Sequence, residues 1–244
     1  MEWRESNGVR WLEAKLPGAS AAFSTRAGGV SESPYEALNV AILTGDERES
    51  VRENRHMLAA ALGREPEGVV MGRQVHGAEL RRHEERQEPR VYAEVVRSPD
   101  EVDAQATTNA ELTPLVMVAD CLPVALVGPG GVAMAHCGWR GLAGGILAEA
   151  VRAVDAKAVA VGPGIGPCCY EVGQEVLSEF EDLDGVARGR MLDLTAVATA
   201  LLERAGVTAT ESSGLCTSCN PELFYSHRRD GARTGRQAGL VWMD

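Results

Sequence analysis

Long apolar runs are missing from this sequence: nowhere does it contain the 18 or more consecutive apolar residues that a transmembrane helix requires. Residues 1–18 include Glu and Arg at positions where a secretory signal peptide has an uninterrupted apolar core. We therefore expect a cytoplasmic protein that has no membrane partner.

An excess of positive charge is missing as well. The chain has 24 Lys and Arg residues against 35 Asp and Glu residues, which gives a net charge of -11 and a pI near 5.0. Because non-specific binding to nucleic acid depends on clustered Lys and Arg, we exclude nucleic acid as a partner. Residues 226–236 form one local basic segment with four arginines. Nothing in the sequence indicates an oligomeric state.

A disulfide framework is the third feature that the sequence lacks. Six cysteines in 244 residues, two of them adjacent at positions 168 and 169, do not resemble a small secreted domain. Metal binding or catalysis is the more fitting role for cysteine here. Cys216 and Cys219 form a lone C-x-x-C, and without a second pair we assign them a structural or incidental role.

Apolar residues make up 45% of the chain and charged residues 24%, both close to the globular average. Short apolar runs at 115–120, 132–136 and 158–162 predict strands buried on both faces, and helical spacing over 141–156 predicts a helix between the last two. With no repeat or linker in view, we predict one α/β domain over residues 1–244.

Further elements flank these strands. We predict strands at 20–26 and 69–77 and helices at 46–62, 174–183 and 192–206. Asp46 and Glu49 have the spacing of a capping box at the start of the first helix. The charged segment 81–90 is expected to be solvated, with His83 at the surface, and Pro123 is expected to form a turn or a sheet edge.

Three candidate metal ligands stand at the ends of predicted strands: His76, Cys121 and His136. Strand ends deliver side chains into a common crevice, so these residues can converge despite their separation. Two imidazoles and a thiolate suit zinc, and three protein ligands leave the fourth position open. Zinc lowers the pKa of a bound water toward about 7. Copper suits the set less well, because a blue-copper site packs its cysteine and second histidine into one short loop.

Other roles for the same residues stay open. Cys121 could attack a substrate with His136 as its base, or the set could bind a metal without catalysis. The predicted helix near Gly141 directs its N-terminus toward Arg140, an arrangement that suits an anion. Arg26, Arg140 and Arg228 could add bidentate contacts to a phosphate. Arg229, Arg233 and Arg236 fit surface ion pairs equally well.

Six motifs extend through nearly the whole chain: FSTRAGGVSESPYEALN (23–39), QVHG (74–77), ADCLPVAL (119–126), AHCGWRGL (135–142), VGPGIGPCCYEV (161–172) and FYSHRRDGARTGR (224–236). In this order they resemble the laccase-domain family, also called multicopper polyphenol oxidase and, in bacteria, purine nucleoside phosphorylase or peptidoglycan editing factor. Cys137 departs from the family pattern, which has a small residue after the ligand histidine. A second thiol there could compete for the metal or oxidise with Cys121.

The resemblance implies a layered α/β sandwich similar to the Cys-His toxin deamidases, the cytotoxic necrotizing factor-like fold. It implies zinc held by His76, Cys121 and His136, which are also the catalytic residues. The implied reactions are phosphorolysis of adenosine, inosine and S-methyl-5′-thioadenosine, and deamination of adenosine, so the partners are a purine nucleoside and phosphate. We expect substrate contacts from residues of the same motifs, namely Arg26, Asn39, Asp120, Arg140, Ser226 and Arg228.

Two alternatives accompany this prediction. A Cys-His hydrolase could edit a peptidoglycan precursor, a wrongly built UDP-muramyl amino acid, with Cys121 as nucleophile. Copper-dependent polyphenol oxidation is the weaker alternative, because a laccase needs several copper sites and the sequence offers three good ligands.

Overall fold

Two six-stranded sheets lie face to face, and helices cover their outer faces. The computed structural model describes residues 1–244. The strands, in chain order, are β1 (Glu2–Ser6), β2 (Val9–Leu16), β3 (Ala19–Ser24), β4 (Val69–Val70), β5 (Leu80–His83), β6 (Ala104–Thr107), β7 (Thr113–Val118), β8 (Leu122–Gly128), β9 (Gly131–Cys137), β10 (Ala158–Val161), β11 (Ala187–Arg188), β12 (Met191–Leu192), β13 (Ala209–Ser212) and β14 (Gln237–Met243). The helices are α1 (Arg48–Ala61), α2 (Trp139–Ala143), α3 (Ile146–Val154), α4 (Gln174–Leu177), α5 (Leu194–Arg204) and α6 (His227–Asp230).

The first sheet has the strand order β1-β2-β3-β14-β7-β4, and the second has the order β13-β10-β8-β9-β6-β5. Most neighbours are antiparallel, and the parallel pairs, β4 with β7, β5 with β6 and β10 with β13, lie at the sheet edges. Strands β11 and β12 form a separate short hairpin. The predicted α/β class is confirmed, and the sheets are mixed.

Three apolar clusters hold the layers together. The cluster between the sheets includes Phe23, Met134 and Val241. A second cluster packs α3 and α5 on the outer face of the second sheet, and a third packs α1 on the outer face of the first. The layers are therefore α1, first sheet, second sheet, and α3 with α5. No helix has the length and apolar character needed to cross a membrane.

The continuous apolar runs at 115–120, 132–136 and 158–162 are confirmed as β7, β9 and β10, whose residues are buried almost throughout. Apolar and polar residues alternate little along these strands, because another layer packs on each face of both sheets. The run at 20–26 is confirmed as β3. The helix predicted at 192–206 is confirmed as α5, which the side chain of Asp193 caps.

Two predicted helices are shorter than expected. The helix predicted over 141–156 divides into α2 and α3, because Gly145 adopts a left-handed φ of 90° between them. The helix predicted over 174–183 consists of the four residues of α4 and a 3₁₀ turn at Ser178–Phe180.

The predicted capping box at Asp46 is wrong, although α1 itself is confirmed. Glu47 occupies the N-cap position and makes no side-chain cap. The Asp46 carboxylate instead accepts hydrogen bonds from Ser31 Oγ at 2.7 Å and Asn39 Nδ2 at 2.8 Å. It therefore ties two segments of the preceding loop together.

The prediction that His83 lies at the surface is also wrong. Residues 80–83 form the edge strand β5, and His83 is 5% exposed with its Nε2 atom 2.8 Å from Gln105 Oε1. Charged residues are common on edge strands, so the charge of the segment concealed a strand.

Pro123 forms neither a turn nor an edge. It is the second residue of β8, which lies between β10 and β9, and it pairs with His136. A proline is tolerated near the start of a strand, where few ladder hydrogen bonds are lost. The turn falls before the strand, at Asp120, whose φ is 92°.

Of the strand predicted over 69–77, only the first two residues form a strand, β4. Beyond it, the backbone N–H and C=O of Met71 pair with the Gln87 side chain, both at 2.9 Å, instead of with a neighbouring strand. His76 consequently lies in a loop with a φ of 62°.

Arg55 links α1 to two loops and gives a test of the fold. Its guanidinium is 1% exposed and donates hydrogen bonds to the carbonyls of Val40, Val91 and Tyr92 at 2.8 to 3.1 Å. Arg55→Ala leaves three buried carbonyls without a donor, so we expect the free energy of unfolding to fall by about 3 kcal/mol or more. Urea denaturation measures this.

The control is Arg52→Ala, because loss of its exposed pair with Glu49 should change the free energy of unfolding by less than about 0.5 kcal/mol. Equal losses of stability in the two variants would contradict the role of Arg55.

Candidate metal centre and cavity

His76, Cys121 and His136 converge at one point of the molecule. Their potential ligand atoms all lie within 4.8 Å of one another. The two imidazole rings meet edge to face, with centroids 4.9 Å apart and an interplanar angle of 68°. Two imidazole nitrogens and a thiol at this separation form a donor set that fits a zinc ion.

The position of Cys121 follows from a crossing between the sheets. Strand β7 ends in the first sheet, β8 begins in the second, and Asp120 and Cys121 make the connection. The left-handed Asp120 is held by its own carboxylate, which accepts hydrogen bonds from Thr217 Oγ1 at 2.7 Å and from the backbone N–H of Arg228 at 2.6 Å. Asp120 therefore fixes the turn that presents the thiol.

Gly138 leaves the space that this convergence needs. A Cβ atom at this position would lie 2.9 Å from Cys121 Sγ and 3.3 Å from His76 Cδ2. Its backbone is in an ordinary extended conformation, so the requirement for glycine is one of space. A larger residue would displace two of the three candidate ligands.

Asp103 is the residue of this site that the sequence interpretation missed. Its carboxylate is fully buried and accepts hydrogen bonds from the backbone N–H groups of residues 75–77 at 2.8 to 3.0 Å. The Nδ1 atom of His136 lies 2.7 Å from the same carboxylate. The sequence gives little signal for this role, because Asp100 and Glu101 stand beside it. One carboxylate thus positions both histidines.

The site shifts the pKa values of its own groups. Burial raises the pKa of the Cys121 thiol, but the His136 charge and hydrogen bonds from both imidazoles lower it to about 6. Burial lowers the pKa of His136, but the charge of Cys121 and the hydrogen bond to Asp103 raise it to about 9. Burial likewise raises the pKa of Asp103, yet hydrogen bonds from His136 and the backbone lower it below its usual value. The metal-free site is therefore a thiolate and an imidazolium near neutral pH.

Cys137 does not belong to this set. Neighbouring residues of a strand point to opposite faces, and Cys137 packs in the apolar cluster beneath α3. Burial raises the pKa of its thiol well above the usual value. The expected competition between Cys137 and Cys121 for a metal is thus not supported.

The three residues open into a cavity of about 450 Å³. Apolar side chains form part of the wall, among them Ile42, Met71, Val96, Met117 and Ile165. The charged part of the wall is mostly basic: it contains Arg55, Arg73, Arg97, Arg140, Arg228 and Arg236, and Asp120 is its only carboxylate. Although the whole protein is acidic, this cavity favours an anionic ligand.

Among the arginines of the wall, Arg97 and Arg140 have guanidinium groups with no hydrogen-bonding or ionic partner within the chain. Both residues are exposed. The guanidinium of Arg140 lies 4.3 Å above the Trp139 ring. Arg228 by contrast donates to the carbonyl of Glu171 at 2.8 Å.

Three predicted substrate contacts do not line the cavity. Arg26 donates to the carbonyls of Glu36 at 2.8 Å and Pro221 at 3.0 Å. Asn39 is fully buried and bridges two loops, and Ser226 caps α6 through the Arg229 N–H. These three side chains stabilise the loops behind the wall, whereas Asp120, Arg140 and Arg228 lie in it.

The interpretation of Cys216 and Cys219 as a lone pair is wrong. Their thiols lie with those of Cys168 and Cys169, and all four sulfur atoms are within 4.8 Å of one another. Sequence spacing concealed this group, because two loops about 50 residues apart supply it.

The family model described as multi-copper polyphenol oxidoreductase laccase matches residues 20–244, and the chain belongs to this family. A purine nucleoside phosphorylase from Streptomyces coelicolor is 38% identical over 93% of this chain and 96% of its own. The Escherichia coli purine nucleoside phosphorylase YfiH is 36% identical over 96% of this chain and 97% of its own. The crystal structure of YlmD from Geobacillus stearothermophilus matches with a TM-score of 0.88 at 33% identity, covering 98% of this chain and 97% of that one.

We expect Asp103→Asn to weaken zinc binding by about 10- to 100-fold, because the amide cannot hold His136 and the 75–77 backbone as the carboxylate does. Competition with a chromophoric chelator measures the affinity. Asp100→Asn is the matched control, since that carboxylate pairs with Arg81 at the surface. Unchanged affinity in Asp103→Asn would contradict the positioning role.

The thiolate of Cys121 can be tested by its pH dependence. Because its pKa is lowered, the thiolate persists above about 6 and is lost as the pH falls below that value. In metal-free protein, alkylation of Cys121 by iodoacetamide should therefore rise through pH 6, and His136→Ala should move the midpoint toward about 8.5. Mass spectrometry of the Cys121 peptide measures the rate. The exposed His56→Ala variant should behave as the unaltered protein; a midpoint near 8.5 before any substitution is the contrary result.

Proposed function

We propose that this protein is a zinc-dependent purine nucleoside phosphorylase that also deaminates adenosine. One observation carries the proposal: the His76, Cys121 and His136 set opens into a cavity in which two arginines have no hydrogen-bonding or ionic partner within the chain. The chain's relatives described as purine nucleoside phosphorylases support it. The substrates we infer are adenosine, inosine and S-methyl-5′-thioadenosine, with phosphate as the second substrate of phosphorolysis.

Different residues of the cavity wall suit different parts of the substrates. Arg140 and Arg97 offer bidentate donors to phosphate, and Arg228 adds positive charge on the same wall. The apolar side chains of the wall, such as Met117 and Ile165, suit the faces of a purine. The ribose then lies between the two regions, where its C1′ atom meets the phosphate.

Phosphorolysis forms a bond between C1′ and a phosphate oxygen and breaks the bond from C1′ to the purine. The purine leaves with the bonding electrons, so positive charge near it lowers the barrier. Arg228 supplies such charge from this chain, and a zinc ion held by His76, Cys121 and His136 would add to it. Asp103 holds the His136 ring through Nδ1 and leaves its other nitrogen directed at the Cys121 side of the site.

His76, Cys121 and His136 are the residues that would hold zinc. Bound there, zinc acts as a Lewis acid and activates water, which is the chemistry that deamination of adenosine requires. Three ligands leave a position of a zinc site open for such chemistry. Asp120 acts one step away, by keeping the Cys121 turn and the Arg228 backbone in place.

A second candidate is a Cys-His hydrolase that edits a UDP-muramyl amino acid in peptidoglycan synthesis. The lowered pKa of Cys121 favours it, because a thiolate beside an imidazolium is an activated nucleophile. A basic cavity also suits a nucleotide diphosphate. Chelation separates the two candidates, since a thiolate nucleophile survives removal of zinc and the metal-dependent reactions do not.

Copper-dependent polyphenol oxidation is the least supported activity. A laccase needs several copper sites, and only one ligand group in the structure contains histidine. A single functional domain over residues 1–244, a cytoplasmic location and a likeness to the toxin deamidase fold stay predictions.

Product analysis tests the proposal. We expect zinc-loaded protein with adenosine and phosphate to give adenine and ribose 1-phosphate, and adenosine alone to give inosine and ammonia. Cys121→Ala should abolish both reactions, whereas Cys137→Ala, which changes a cysteine outside the site, should keep them. Formation of neither product set at any zinc loading would reject the purine activity. Hydrolysis of a UDP-muramyl amino acid that persists after chelation would favour the hydrolase.

Arg140→Ala tests the phosphate subsite. Loss of its charged donors should raise the KM for phosphate by about 10- to 100-fold and change deamination little. Steady-state kinetics with varied phosphate measure this. The control is Arg152→Ala, an exposed arginine of α3 paired with Glu149. Equal effects on both reactions would place Arg140 outside a phosphate subsite.

A further inference from the structure

We propose that Cys168, Cys169, Cys216 and Cys219 bind a second zinc ion with a structural role. All four sulfur atoms lie within 4.8 Å of one another, and Cys219 Sγ is 3.4 Å from the sulfurs of both Cys168 and Cys169. A tetrahedral Zn–S₄ centre with Zn–S near 2.3 Å requires sulfurs roughly 3.8 Å apart. The four thiols are thus gathered at the spacing that one zinc ion needs.

Two turns bring the thiols together. In an extended strand, the adjacent residues Cys168 and Cys169 would point in opposite directions. Here residues 167–169 form a turn, closed by a hydrogen bond from the Cys169 N–H to the Gly166 carbonyl at 3.0 Å. Of the other two cysteines, Cys216 directly precedes a second turn at 217–219 and Cys219 is its last residue. Each turn directs a pair of thiols at the other, as in zinc sites built from two loops.

The backbone around the cluster suits thiolate ligands. The Gly166 N–H donates to Cys216 Sγ at 3.2 Å, a contact that stabilises a thiolate. A Cβ atom at Gly166 would lie 3.2 Å from Cys216 Cβ and 3.4 Å from Cys168 Sγ. The close approach of the two loops therefore uses the space that glycine leaves.

The cluster differs from the His-Cys-His site in two respects. None of its four cysteines lines the cavity, so no substrate position faces it. Four thiolates complete a tetrahedral zinc, which is the form of a structural site, whereas three ligands leave a position open. We therefore assign it no part in the chemical step.

The two loops that the zinc would join support the cavity wall. Ile165 and Tyr170, which flank the first turn, lie in the wall. Thr217, in the second turn, donates to the Asp120 carboxylate at 2.7 Å, and its carbonyl accepts from Arg229 at 2.9 Å. A metal that joins the two turns would keep Thr217 in place, and with it the hydrogen bond that positions Asp120.

Metal content of the purified chain tests the proposal without using activity. We expect two zinc ions per chain in the unaltered protein by elemental analysis. His76→Ala with Cys121→Ala should retain one ion, Cys216→Ser with Cys219→Ser should also retain one, and all four substitutions together should retain none. Cys137→Ala, the matched cysteine control, should keep both.

The His76→Ala and Cys121→Ala double variant decides the matter even if the cysteine variants fail to fold. Its remaining site, loaded with cobalt alone, should show the intense thiolate-to-cobalt absorption of tetrahedral sulfur coordination. A folded double variant that binds no zinc would overturn the proposal. So would a disulfide between two of the four cluster cysteines, detected as an intact mass two hydrogens lighter than the reduced chain and located by peptide mapping. Neither outcome depends on the purine activity.

Discussion

The buried carboxylate of Asp103 is the interaction on which the site depends. It accepts hydrogen bonds from three consecutive backbone N–H groups, at residues 75–77, and lies 2.7 Å from His136 Nδ1. The carboxylate is fully buried and therefore needs these donors, and the same hydrogen bonds hold the loop in which His76 has a left-handed φ. The same anion orients the His136 ring. The Asp103 carboxylate thus fixes the positions of both His76 and His136, although the loop and β9 are far apart in the sequence.

The rest of the site follows from how the two sheets meet. The chain passes from the first sheet to the second at Asp120 and Cys121, and this crossing brings the thiol to the histidines. Gly138 leaves room for the thiol. The same junction forms one side of the cavity, where arginines from several segments gather. A chain of net charge -11 therefore has a basic cavity, because local arrangement and not total charge decides what anion can bind.

The sequence allowed the strands around the site to be predicted, because β7, β9 and β10 are continuous apolar runs buried on both faces. Convergence of Cys121 and His136 could be inferred from their places at strand ends. Asp103 could not, because its partners are backbone groups of a distant loop and carry no sequence signal. Burial of His83 depends on Gln105, and the grouping of Cys216 with Cys168 depends on two loops meeting. Such contacts are decided by tertiary packing, which periodicity and spacing do not report.

The most direct measurement is zinc-edge anomalous diffraction from crystals grown with zinc, inorganic phosphate and a purine nucleoside. The account predicts an anomalous peak among His76, Cys121 and His136, with the phosphate on the Arg140 side of the cavity and the purine against its apolar wall. It predicts unchanged positions for the Asp103 hydrogen bonds. Absence of zinc from the three ligands, or phosphate and nucleoside bound outside the cavity, would contradict it.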